Sequence, residues 1–164
     1  MPIDAQHLLN RRFDPVEHSY SKRDTMLYAL GVGLGEDPLD PAALRYVYEG
    51  CAGGLLAVPT MVNVLGYGGF WADQADTGIT WRKLVHAEQA IEWYAPLAAE
   101  GRVIGRNRVV ALIDKGAEKG ALMVQERQVT DAQSGALLAR VTQTSMLRGD
   151  GGFSADGGRS DPGP

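Results

Sequence analysis

From Leu84 onward the chain is a succession of strand-length segments separated by short turns, and no other feature limits its possible folds as strongly. The segments run in KLVHAEQAIEWYAPL, RVIGRNRVVALIDKG, ALMVQERQVTD and ALLARVTQTSMLRG. In the first, Val85, Ala87, Gln89, Ile91 and Trp93 alternate with Leu84, His86, Glu88, Ala90 and Glu92, a period of two with one mostly apolar face. The connections APLAAEG, DKGAEKG and TDAQSGA are turn material. A parallel crossover needs a dozen or more residues, so segments joined this tightly are expected to be antiparallel neighbours.

The part before this meander reads as helical. In SKRDTMLYALGVG, Ser21 and Asp24 have the spacing of a capping box, Met26, Leu27 and Leu30 are spaced for one face, and Gly31 and Gly33 end the run. In DPAALRYVYE, Asp40 can cap and Pro41 fits the first turn. A third, short helix is expected from Pro59 to Tyr67, and YGGFWADQADTGIT, from Tyr67 to Thr80, reads as an ordered loop whose aromatics cover something apolar. Helices first and a meander second predict an α+β domain. The 164 residues, 45% of them hydrophobic, suffice for one ordinary core.

Charge and cysteine usage exclude several function classes. A net charge of −4 with scattered arginines provides no field for a nucleic-acid backbone. The lone Cys51 lies among small and apolar residues, which excludes a disulfide framework within the chain and a cysteine-rich metal site. No window approaches the length of an apolar membrane span, and the amino terminus has no long apolar core. These features predict a cytoplasmic protein with no membrane partner, no cofactor and no metal.

Local motifs yield little chemistry. The glycines of LGVGLGEDPLD, Leu30 to Asp40, fail as a dinucleotide fingerprint, because Glu36 stands where the third glycine belongs and Gly31 closes a helix. Asp37 and Asp40 have no later glutamate at calcium-loop spacing. His86, Glu88 and Glu92 share one face of a regular strand, so an acid–base pair is conceivable, as is a merely solvated outer face. His7 and His18 precede the core and suggest no site.

As an ordered set, YSKRDTMLYALGVGLG, LRYVYEG, AVPTMVNVLG, LVHAEQAIEWYAPLAAEG, DKGAEKGAL and LRGDGGF resemble the amino-terminal half of MaoC-like, R-specific (type 2) enoyl-CoA hydratases, from about Ser19 to Phe153. The resemblance implies a hot-dog fold, an antiparallel sheet wrapped around a short or incomplete central helical segment. It also implies that two hot-dog halves pair through a continuous sheet. Only the second half of such proteins carries the motif Gly-Asp-x-Asn-Pro-aliphatic-His, whose aspartate and histidine activate water for addition to an enoyl-CoA double bond.

Anchored on Pro38 and Leu39, that motif places Gly35 at the aspartate position and Asp40 at the histidine position. Gly35 has no proton acceptor, and Asp40 lacks the imidazole's donor and its pKa near neutrality. The resemblance thus implies a non-catalytic half that binds an acyl-CoA or enoyl-CoA thioester and works with a second hot-dog domain. Tyr67, Phe70, Trp71, Met61 and Leu65 are its candidate acyl-pocket residues. Two alternatives stay open: a stand-alone homodimeric acyl-CoA-binding module, and an acyl-CoA thioesterase using Glu88 or Asp40. The expected organisation is an extension over residues 1–18, the hot-dog domain over 19–148, and a Gly/Pro-rich linker or tail over 149–164.

Overall fold

The protein is described by a computed structural model covering residues 3–154. Two short elements come first, helix α1 (Ala5–Leu9) and strand β1 (Val16–Tyr20). Helices α2 (Lys22–Gly31) and α3 (Pro41–Val47) follow, then a chain crossing with a 3₁₀ turn at Pro59–Asn63. Four long strands complete the order: β2 (Leu84–Trp93), β3 (Gly101–Asp114), β4 (Ala121–Asp131) and β5 (Leu137–Leu147). This is the expected α+β arrangement, with one antiparallel five-stranded sheet ordered β1-β3-β4-β5-β2.

The helix starts follow the sequence. Ser21 Oγ accepts from Asp24 N while Asp24 Oδ2 accepts from Ser21 N, a complete capping box. Asp40 Oδ1 accepts from Ala42 N at 2.8 Å and caps α3. The expected apolar face of α2 is not the buried one, however: Leu27 and Leu30 are 66% and 54% exposed, whereas Thr25 and Ala29 are buried. Thr25 turns inward because its Oγ1 donates to Ala99 O at 2.7 Å.

Strand order corrects the expected sequential meander. β3, β4 and β5 are consecutive neighbours, but β2 pairs with β5 at the far edge and β3 pairs with β1. Three strand spacings of about 4.8 Å lie within reach of a seven-residue connection, so residues 94–100 can cross from β2 to β3. Tyr94 N and Ala95 N donate to Leu138 O, and Tyr20 OH donates to Ala98 O, fixing that crossing. Burial, reinforced by Asp131, pushes the Tyr20 hydroxyl up to about 12.

The segment before Ser19 is part of the packed structure. Ile3 and Leu8 are buried with Leu112, Met123 and Leu147, and His18 Nδ1 accepts from Gly66 N at 3.3 Å. β1 was hidden in the sequence because VEHSY is short and polar, and only pairing with β3 makes it a strand. Gly66 in turn lies flat on β3: a Cβ at Gly105 would sit 2.1 Å from Gly66 O.

The start of the expected tail is anchored too. Asp114, at the end of β3, is buried, and its Oδ1 accepts from Gly116 N and Gly152 N at 2.8 and 2.7 Å. Its Oδ2 accepts from Ser154 N at 2.7 Å and from Ser154 Oγ at 3.0 Å. Phe153 packs on the cluster around Leu112, and Asp150 accepts from Thr80 N and Oγ1. The remainder of the glycine-rich stretch, 155–164, lies outside the described residues.

Two stability predictions follow from these contacts. Gly105→Ala forces Gly66 off the sheet and costs about 2–3 kcal/mol, seen as a lower urea midpoint at unchanged slope. Burial alone would raise the Asp114 pKa, but its backbone and hydroxyl donors outweigh it and hold the carboxyl at about 2. The folded pKa is below the unfolded one, so this stabilisation is complete above about pH 4 and is lost as pH falls from there towards 2. Asp114→Asn, whose amide nitrogen faces donors, loses roughly 2 kcal/mol at pH 7 and flattens the acid limb of the stability profile.

Candidate functional site

The inner face of the sheet is apolar at both ends and polar in the middle. One buried cluster contains Leu8, Val109, Leu112, Met123 and Leu147; the other contains Met61, Val62, Leu65, Val103, Val129 and Val141. Between them the strand register lines up Val109, Gln125, Gln143 and Gln89 in one row and Asn107, Arg127, Val141 and Ile91 in the next. The loop around Tyr67 covers this band incompletely and leaves two clefts.

The first cleft, about 340 Å³, is lined among others by Arg11, Phe13, Tyr67, Trp71, Asn107 and Gln125. Arg11 donates to Asp76 Oδ2 at 2.8 Å and to Gln74 Oε1, while its guanidinium stacks 5.1 Å from the Trp71 ring. Trp71 meets Phe13 edge to face and donates its indole N–H to Gln125 Oε1 at 2.8 Å. The second cleft, about 300 Å³, shares Tyr67, Asn107 and Gln125 with the first and adds Asn63, Val64, Gln89, Arg127 and Gln143. Arg127 is 7% exposed, and its Nη2 donates to Val62 O at 3.4 Å and to Asn63 O.

The expected pocket residues divide into two groups. Tyr67 and Trp71 line the clefts, and Phe70 joins them in a smaller recess while its ring meets Trp81 edge to face. Met61 and Leu65, at 2% and 1% exposure, are closed into the second apolar cluster. Gly35 and Asp40 lie in the turn and cap between α2 and α3, where Gly35 takes a positive φ of 83° and Asp40 serves α3. Cys51 is half-buried, its Sγ 3.4 Å from Leu44 O.

The expected shared face of His86, Glu88 and Glu92 is broken by a bulge at Ala87. His86 pairs with Ser145, whose side faces inward, whereas Glu88 pairs with Thr144 on the outer side. The extra residue flips the alternation, so the two side chains leave opposite faces. On the outer face Glu92 pairs instead with Arg140 at 3.4 Å, and Arg140 and Arg108 engage Glu126 at 3.3 and 2.9 Å.

Sequence reasoning passed over Arg127, Gln125, Gln143, Asn107 and Asn63. The signal was present in ALMVQERQV, where Gln125 and Arg127 stand in phase with buried Met123 and Val129. Among the described residues no group of three or more His, Cys, Asp or Glu comes together to hold a metal, and no helix is long and apolar enough to cross a membrane.

The sequence model of the MFE-2 hydratase 2 N-terminal domain matches residues 18–149. The chain belongs to that family. It is 33% identical to the peroxisomal enoyl-CoA hydratase 2 of Arabidopsis thaliana, over 93% of this chain and 50% of the relative. Identity to the enoyl-CoA hydratase ChsH3 of Mycobacterium tuberculosis is also 33%, over 98% of this chain and 55% of the relative. The crystal structure of a MaoC-like dehydratase from Phytophthora capsici superposes with a TM-score of 0.73 at 26% identity, covering 97% of this chain and 53% of that one. The fold is thus a hot dog, and the chain spans about half the length of these relatives.

The broken alternation in β2 makes His86 and Glu88 independent surface residues. The His86→Ala/Glu88→Ala double variant is expected to keep its unfolding free energy within about 0.5 kcal/mol of the parent, with additive single effects. A coupling above about 1 kcal/mol in the double-mutant cycle would restore the acid–base pair.

Proposed function

We propose that this hot-dog domain is the non-catalytic, acyl-pocket-shaping half of an R-specific enoyl-CoA hydratase or 3-hydroxyacyl-CoA dehydratase. A second hot-dog domain supplies the chemistry. The observation that carries this reading is the state of β2. It is the last strand of the sheet, and eight of its ten residues are exposed on both faces, Val85 and Trp93 among them. A ten-residue edge strand of this kind is a template for pairing unless something covers it. A second hot-dog sheet continues it strand to strand.

The motif positions support a division of labour. Gly35 and Asp40 form a turn and a helix cap, roles remote from activating water, and on this reading the aspartate and histidine come from the partner half. This half contributes shape: Tyr67 and Trp71 wall the clefts, with Phe70 beside them. An acyl-CoA or enoyl-CoA thioester is the ligand class, and a cytoplasmic setting belongs to the same proposal.

The purified chain, incubated with crotonyl-CoA and with a longer enoyl-CoA, is expected to show neither double-bond hydration nor thiol release. Hydration returns when a catalytic hot-dog half is added, and Trp71→Ala shifts the chain-length preference of the reconstituted enzyme several-fold. Robust hydration by this chain alone would sink the proposal, and thiol release would replace it with a thioesterase.

A further inference from the structure

Arg127 places a positive charge inside the fold without a carboxylate to balance it. Among the described residues no Asp or Glu oxygen lies within ion-pair distance of its guanidinium. Glu126 contributes to the same cleft lining, but its carboxylate is held by Arg108 and Arg140. Arg127 Nε has no hydrogen-bond partner there, nor does the neighbouring Asn63 Oδ1. Desolvating an ion costs several kcal/mol, and two backbone carbonyls on Nη2, with the Tyr67 ring 5.6 Å from the guanidinium carbon, offset only part of that. Burial accordingly pushes the Arg127 pKa below its ordinary value.

We propose that the second cleft recognises a carboxylate through Arg127, and that the carboxylate is carried at the far end of an acyl chain. This rests on the acyl-thioester reading above and names the substrate class within it. With Glu126 neutralised by Arg108 and Arg140, a single guanidinium among neutral amides matches one negative charge; a phosphate dianion would leave a charge uncompensated. Gln125 Oε1 is engaged by Trp71, which leaves its amide N–H groups as further donors, while Val64 and Val141 offer apolar wall to methylenes. The cleft joins the first one through Tyr67, Asn107 and Gln125, so a chain can lie across both.

Calorimetric titration of the purified chain with adipoyl-CoA and hexanoyl-CoA, which differ in the terminal carboxylate, tests this. At least tenfold tighter binding of adipoyl-CoA is expected. Arg127→Gln brings the ratio of affinities to about one. Gln143→Glu, which leaves the Arg127 bonds to Val62 and Asn63 in place and adds a repelling charge, does the same if the first variant fails to fold. Measurable but equal affinities of the two thioesters in the parent chain, or a preference surviving Gln143→Glu, overturns the proposal.

Free hexanoate, followed at the Arg127 Nε–H resonance by NMR, separates the two readings. If neither thioester binds but hexanoate shifts that resonance in the parent and not in Gln143→Glu, the carboxylate site stands and the acyl-thioester reading falls. If hexanoate also leaves it unmoved, the carboxylate site falls as well.

Discussion

The flat contact between Gly66 and Gly105 sets the geometry on which the clefts depend. Neither residue has a side chain, so the crossing segment can lie against β3 backbone to backbone, where any Cβ would collide. His18 on β1 accepts from Gly66 N, and Arg127 on β4 donates to the carbonyls of Val62 and Asn63 just upstream. Three strands therefore hold one loop. Tyr67, the next residue, is left half out of the surface at 51% exposure, and the clefts open on either side of it.

The inner face of the sheet is covered at one end by α1 through Leu8 and at the other by the segment of the 3₁₀ turn through Met61, Val62 and Leu65. The middle of the face is polar, so the core is two apolar clusters instead of one. A continuous apolar face would be the more stable arrangement, since buried polar groups cost free energy unless paired. Two adjacent polar rows, one with Gln125 and Gln143 and the next with Arg127, interrupt it in the centre, and the β2 edge is exposed.

Much of the fold was legible because local signals were strong. The capping box at Ser21, the Asp40–Pro41 helix start and the alternating strands each rest on chemistry within a few residues. The site was less so. Tyr67 and Trp71 stood out as aromatics in a loop, yet Met61 and Leu65 of similar promise went into the core. His86 and Glu88 looked paired because a bulge is invisible in a period-two pattern; one extra residue, Ala87, separates them.

The sequence by itself determined the helix starts at Ser21 and Asp40, the four long strands and the antiparallel character of their pairing. Those depend on short-range spacing and on which side chains exist at all. Only the tertiary structure decided that β2 joins β5, that VEHSY becomes a strand, and that Asp114 ties the 114–120 turn to Gly152 and Ser154. It also decided that Arg127 is buried. Each of these is a contact between residues distant in the chain, set by which backbones can approach and which charges find partners, and no local pattern encodes it.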